Sequence, residues 1–159
     1  MIEVLKILLP VVAGVLGIFL ILKFISKAIK RNLLSEIKQR YSGTEILKVD
    51  LNANLFGFKS KGVKQIRGNG ALILFKKEIR FIMAVPRKEF VIPVDKHFNA
   101  DLTKSFLHKT IFKDLIKFEF VLNGKSDECA FAIVSPEIWL EEIKNLEVAD
   151  KEYQPDTLH

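Results

Sequence analysis

The spacing of apolar positions changes twice along the chain, and each change marks a boundary. The first sixteen-residue stretch without a charge runs between Lys6 and Lys23 and reads ILLPVVAGVLGIFLIL. At 1.5 Å per residue it gives about 24 Å, a little short of the ~30 Å hydrocarbon core. Extended from Ile2 to Ile25 it gives about 36 Å, because Lys6 and Lys23 can snorkel to the headgroups. The pattern therefore predicts a transmembrane helix over residues 1–26. Pro10 falls in its first turns, where a missing N–H does least harm. Ala13-x-x-x-Gly17 can be read as a helix-pairing motif or as ordinary membrane glycine. A cleaved signal peptide would need a basic N-terminus, a shorter apolar run and a small-residue cleavage site. Glu3 offsets Lys6, and KFISKAIKR follows the run with no A-x-A pattern. An uncleaved anchor is the expectation.

Beyond Phe24 the apolar residues Ile25, Ile29, Leu33, Ile37 and Tyr41 recur every fourth position with charges between them. That period is helical, so residues 27–43 are expected to form an amphipathic basic stalk that continues or restarts the membrane helix. It is either an interfacial or self-associating helix, or a connector leaning on the domain. Ser42-Gly43 should stop it, with Gly43 in a left-handed cap.

From Gly43 the period becomes two. Ile79, Phe81, Met83 and Val85 alternate along one run, and Phe90, Ile92 and Val94 continue after PRKE, which reads as a tight turn. Ile116, Phe118, Phe120 and Leu122 alternate along another, and Asn123-Gly124-Lys125 turns into a run centred on Ala130 to Val134. Short strands with such frequent turns predict a mainly β domain over residues 44–146. Its expected form is a small antiparallel barrel or sandwich, closed by a C-terminal α-helix. No helical stretch separates the strands, which excludes a parallel βαβ design. The closing helix is announced by Ser135, Pro136 and Glu137, a cap, a first-turn proline and a dipole-matched acid. Trp139, Leu140, Ile143 and Leu146 then form one apolar stripe. Thirteen phenylalanines supply core area, each worth about 1.5–3 kcal/mol when fully buried. Residues 147–159 read as a disordered acidic tail.

Charge then assigns a side of the membrane. Residues 1–44 carry a net +5, residues 45–145 a net +4 and residues 146–159 a net −3. Lys23, Lys27, Lys30 and Arg31 follow the span while Lys6 alone precedes it, so the positive-inside rule places the body in the cytoplasm, at the plasma (inner) membrane. These four residues are the expected membrane-surface contacts, each gaining about 1 kcal/mol beside an anionic leaflet. A single cysteine, Cys129, allows no intramolecular disulfide and fits a reducing compartment.

The stretch SKGVKQIRGNGALILF, Ser60 to Phe75, carries the most suggestive local chemistry. Glycines among lysines can cradle a phosphate when they open a helix. Here a strand-like run follows Gly70, and Asn-Gly is a strong hairpin signal, so Arg67-Gly68-Asn69-Gly70 is expected to be a turn. Lys59, Lys61, Lys64, Arg67, Lys76, Lys77 and Arg80 are candidates for an anion- or partner-binding face, with a plain solvated face as the alternative. Phe56 and Phe58 alternate like core residues of a strand rather than membrane-inserting ones.

Several of these segments carry a resemblance. Ser60-Lys61-Gly62, Gln65-Ile66-Arg67-Gly68-Asn69-Gly70, Leu72-x-Leu74, Ile79-x-Phe81, Pro86-x-Lys88-Glu89, Leu107-x-Lys109, Leu115-Ile116-Lys117-Phe118 and Ser135-Pro136-Glu137-x-Trp139 resemble a group of small bacterial proteins. Those proteins join an N-terminal membrane helix to a pleckstrin-homology-like (PH- or GRAM-like) domain. The resemblance covers about residues 53 to 146. It implies a PH-like barrel and no particular activity, because fold does not carry function. The phosphoinositide-binding members set a basic-x-arginine triplet in the first hairpin, whereas here Lys64 and Arg67 are three apart. That departure weighs against inositol phosphate binding.

Other chemistry is thinly represented. His97, His108 and His159 are scattered, with no His-x-x-x-His, Cys-x-x-Cys or Gly-x-Ser-x-Gly pattern, so no metal site, cofactor or nucleophile–base pair is expected. Glu141-Glu142 read as solvated and Trp139 as a core plug. The basic residues are not interleaved with aromatics as nucleic-acid surfaces are. Binding is therefore expected rather than catalysis: a scaffold for partner proteins or copies of itself, or else a sensor of anionic lipid headgroups. An unrecognised hydrolase remains as a third class and would need a deep pocket converging on His97 or His108.

Overall fold

The computed structural model describes the backbone of residues 2–152 and the side chains of residues 12–146. The chain divides into two compact units, Met1–Ser42 and Gly43–His159. In the first, a single helix, α1 (Ile2–Arg40), runs unbroken, so the segments expected as membrane helix and stalk form one rod. Val12, Val15, Leu16, Ile18, Phe19, Leu20, Ile21 and Leu22 are all exposed. A stretch exposed at all of these apolar positions suits a lipid environment. It is long and apolar enough to span a membrane. Farther along, the every-fourth row is exposed at Ile25 and Ile29 and buried at Leu33, Ile37 and Tyr41. The Tyr41 N–H still donates to the Ile37 carbonyl at 3.0 Å, and a turn through Gly43 follows. The left-handed cap expected at Gly43 is not formed: positive φ among the described glycines occurs at Gly57, Gly62 and Gly124.

The second unit holds β1 (Lys48–Phe58), β2 (Gly68–Leu74), β3 (Glu78–Met83), β4 (Lys88–Pro93), β5 (Asn99–Phe106), β6 (Lys109–Leu122), β7 (Lys125–Ala132) and α2 (Pro136–Glu152). The strands form one antiparallel sheet in the order β4-β3-β2-β1-β7-β6-β5. Two meanders, β1 to β4 and β5 to β7, are thus joined along β1 and β7.

The connection from β4 to β5 requires the sheet to curl. Those strands are its two edges, and seven flat strands would set them roughly 29 Å apart at ~4.8 Å per step. Only Val94–Phe98 lie between Pro93 and Asn99, a reach of at most about 21 Å fully extended. A turn from the Phe98 N–H to the Asp95 carbonyl shortens it further. The sheet therefore bends around one core, although no ladder pairs β4 with β5 among the described residues. A hydrogen-bonded barrel is not formed.

Inside the bend, Leu55, Phe58, Leu72, Phe81, Met83, Ile92, Phe118, Phe120, Phe131 and Trp139 pack together. Phe81 and Phe131 lie 5.0 Å apart by ring centroids, and Phe118 lies 5.7 Å from Phe131. Trp139 and Ile143 seat α2 on this core, with Leu140 and Leu146 beside them. The Ser135 carbonyl accepts the first helical bond from the Trp139 N–H at 3.3 Å. The helix continues to Glu152, six residues beyond the predicted end, because nothing before Pro155 breaks it. The rest of the tail, 153–159, lies outside the described residues.

Two irregularities in β1 matter. Its register shifts between Asp50 and Ala53 and again between Leu55 and Gly57. The second bulge sends Phe58 to the main core and Phe56 to a smaller cluster with Phe106, Leu115 and Ala130, so the two phenylalanines do not share a face. At the first bulge Asp50 is buried. Its Oδ1 accepts the Asn52 N–H at 2.6 Å and its Oδ2 accepts the Val134 N–H at 2.8 Å. One carboxylate thus pins the start of the sheet to the segment entering α2. Asp50→Ala is expected to cost about 1.5–3 kcal/mol, the range for hydrogen bonds to a charged group. Asp50→Asn, keeping one acceptor, should lose less. The urea midpoint of the detergent-solubilised chain measures both.

Candidate functional site

The loop between β1 and β2 is built by one glutamine. After a short 3-10 turn at Lys59–Lys61, the Gln65 side chain accepts the Phe58 N–H at 3.0 Å and donates to the carbonyls of Phe58 and Gly62 at 2.9 and 2.6 Å. Gly57, at φ 133°, makes room for it, since a Cβ there would sit 2.1 Å from Gln65 Oε1. The Ser60 N–H and hydroxyl both donate to Asp127, at 2.9 and 2.6 Å. Lys59 pairs with Glu128, and Arg67 Nε donates to the Phe56 carbonyl at 2.8 Å.

The expected turn at Arg67-Gly68-Asn69-Gly70 is corrected by this arrangement. Asn69 and Gly70 lie within β2, opposite Asn54 and Ala53. The chain reverses earlier, over Lys59–Arg67. A strand follows the glycines and no helix opens there, which also removes the phosphate-cradle geometry. PRKE is only half a turn: Pro86 and Arg87 close the reversal, while Lys88 and Glu89 begin β4.

The seven candidate basic residues do not converge. Lys59, Lys61, Lys64 and Arg67 lie at the start of β2, while Lys76 and Lys77 occupy the turn at its far end, roughly 20 Å away along a seven-residue strand. Arg80 is engaged by Glu78 at 2.5 Å and Glu89 at 3.0 Å, with its guanidinium 5.8 Å from the Phe75 ring. Lys61 and Lys64 are exposed and enter no ion pair among the described residues. On α1, Lys23, Lys27, Lys30 and Arg31 fall within about a 100° arc at 3.6 residues per turn. The Lys23 amine lies 4.8 Å over the Phe19 ring, where an amine at the end of an apolar run is expected to snorkel.

The titratable groups elsewhere lie apart from this loop. His97 lies in the β4–β5 connection and His108 in the β5–β6 turn, at opposite ends of β5, while His159 lies outside the described residues. No three His, Cys, Asp or Glu side chains among the described residues are grouped to hold a metal. The Lys117 hydrogen bond at 2.6 Å lowers the Glu119 carboxyl below its ordinary range and raises Lys117 in turn. Burial, with Asp127 second, pushes the Cys129 thiol well up. Cys129 in the native chain should accordingly react with a maleimide at least about a hundredfold more slowly than in denaturant, because labelling requires opening of the core. Equal rates would place the thiol at the surface.

The loop-building role of Gln65, the buried Asp50 and the Leu107-His108 turn are not signalled by the residue pattern. Leu107 and His108 turn with φ of 49° and 61°, a geometry usually signalled by Asn-Gly, as it is at Asn123-Gly124.

No family model and no curated protein matches the chain. Among solved structures, the C-terminal domain of an unknown protein from Leishmania infantum is similar, with a TM-score of 0.51 at 14% identity. The match covers 74% of this chain and 97% of that one. A chain from the 8S snRNP assembly intermediate has a TM-score of 0.48 at 13% identity, covering 72% of this chain and 87% of its own. At such identity the first likeness bears on the fold alone.

Proposed function

We propose that the chain is a single-pass membrane protein presenting a PH-type β domain at the cytoplasmic face of the plasma (inner) membrane, where it docks partner proteins. The observation that carries this reading is α1, exposed and apolar from Val12 to Leu22 and ending in the Lys23, Lys27, Lys30 and Arg31 stripe. That stripe favours the cytoplasmic side, and the PH assignment rests on the sequence resemblance over residues 53–146. The unpaired edges of β4 and β5 offer backbone groups on which an extended segment of a partner can add.

Membranes bearing the native chain should retain it through a high-pH carbonate wash. Trypsin outside sealed cells should leave the β domain intact. Isolation in mild detergent should bring down a partner in fixed proportion. Release by carbonate overturns the anchor, and repeated isolation of the chain alone overturns the docking role.

A further inference from the structure

The chain holds two Asn-Gly pairs, Asn69-Gly70 and Asn123-Gly124, and the fold gives them opposite chemical environments. Asparagine is a thermally labile residue, because the backbone nitrogen that follows it can attack its side-chain carbonyl carbon. That nitrogen must be free of a ladder bond and able to swing within reach of Cγ. Glycine removes the Cβ that would stand in the way. The surrounding structure decides the rest.

At Asn69-Gly70 the structure opposes the reaction. The Asn69 side-chain carbonyl accepts Asn54 Nδ2 at 2.5 Å, and its main-chain carbonyl accepts the Ala84 N–H at 2.8 Å. Gly70 is buried, paired with Ala53 on one side and Met83 on the other. The Ile82 carbonyl fills the space beside its Cα. Reaction there requires β2 to come away from its neighbours.

Asn123-Gly124 is the opposite case. Leu122 and Lys125 form the last pair of the β6–β7 ladder, so both residues lie outside it. They turn with φ of 52° and 73°, and both are exposed. A Cβ placed on Gly124 would meet nothing within 4 Å, so the turn has open space in which to bring Asn123 Cγ and Gly124 N together. Among the described residues no hydrogen bond holds the Asn123 side chain.

We infer that Asn123 is a site of spontaneous deamidation and isoaspartate formation, and that the fold protects Asn69 from the same reaction. The Gly124 nitrogen loses its proton and bonds to Asn123 Cγ. The side-chain nitrogen departs with that proton as ammonia, which closes a cyclic imide. Water then opens the ring. Cleavage of the bond between nitrogen and Cγ gives aspartate, and cleavage at the Asn123 main-chain carbonyl gives isoaspartate. Overall, water is consumed, ammonia is released and a carboxylate appears. The aspartate product still suits the turn, since Asp-Gly shares the preference of Asn-Gly for it. Isoaspartate does not, because it adds a methylene to the main chain of a loop whose length sets the β6–β7 register. This chemistry belongs to the turn and does not depend on partner docking.

The test incubates the full detergent-solubilised chain in warm, mildly alkaline buffer, native or in urea. Mass spectrometry with electron-transfer fragmentation then separates aspartate from isoaspartate at each position. In the native chain, position 123 should convert at least about tenfold faster than position 69, which waits for the sheet to open. In urea the two rates should approach each other. Isoaspartate should outweigh aspartate at 123, and the rate should rise with pH as the attacking nitrogen is deprotonated. Asn123→Gln, whose longer side chain disfavours the ring, should abolish the signal at 123 and leave position 69 unchanged. Asn123→Asp should keep the parent's urea midpoint, while the isoaspartate-bearing fraction should unfold at lower urea. Native conversion at 69 as fast as at 123 overturns the inference, as does conversion of 123 in urea alone. Aspartate without isoaspartate at 123 would mean direct hydrolysis with no imide and overturns it as well.

Discussion

Truncating Phe131 to alanine is expected to lower the stability of the β domain by about 3–5 kcal/mol. The ring is fully buried and packs against Phe81 from the first meander and Phe118 from the second. On β7 it sits opposite Leu55 of β1 on one side and Ile116 of β6 on the other. Phe131 therefore stands where the two meanders join, and its loss leaves a cavity lined from both. Against a typical domain stability of about 5–15 kcal/mol, little margin would remain. Phe131→Leu, which keeps most of the volume, should cost less than about 1.5 kcal/mol. Phe112→Ala supplies the contrast: the same residue type, fully exposed, is expected to move stability by no more than about 0.5 kcal/mol. Denaturant midpoints of the three variants in one detergent decide the matter. Similar losses for Phe131→Ala and Phe112→Ala would mean that the core is misassigned.

These contrasts follow the line between what pattern reveals and what it hides. β6 is legible because Ile116, Phe118 and Phe120 face the core while Lys117 and Glu119 face out, an unbroken period of two. The stripe on α2 and the apolar rod of α1 are legible for the same reason, each burying or exposing one consistent set of positions. β1 is not, because two bulges break its period, and a one-residue slip exchanges the faces. β5, NADLTKSF, is a polar edge strand with only Ala100 and Phe106 buried, so it offers almost no apolar signal. The basic residues fail differently: Arg67 and Lys76 are close in sequence, yet a strand between them carries them to opposite ends of the sheet. The bend of the sheet depends on how seven strands pair. Pairings such as Asn54 with Ala132 leave no mark in local composition.

At Gly70 the sequence signal and the structure disagree most sharply, and a second large effect is expected there. An Asn-Gly pair suits a turn because both residues tolerate positive φ, but neither Asn69 nor Gly70 is among the described positive-φ residues. Gly70 is needed for closeness instead. A Cβ built on it would lie 2.1 Å from the Ile82 carbonyl oxygen and 2.9 Å from both Ile82 C and Met83 Cα. All three are backbone atoms of β3, paired with β2 at this point, so no side chain can swing aside. Gly70→Ala must push two interior strands apart, at a cost at the top of the roughly 1–3 kcal/mol range for overpacking. If the glycine served only its backbone angle, alanine would cost about 1–2 kcal/mol, the penalty of one left-handed residue. That smaller loss is expected for Gly124→Ala, at φ 73° with open space around it, while Gly43→Ala, with no neighbour within 4 Å and no positive φ, should be nearly silent. The unfolding free energies should therefore rank Gly70 well above Gly124, and Gly124 above Gly43. A Gly70→Ala protein only as destabilised as Gly124→Ala would return the Asn-Gly pair to a turn and remove the close approach of β2 to β3.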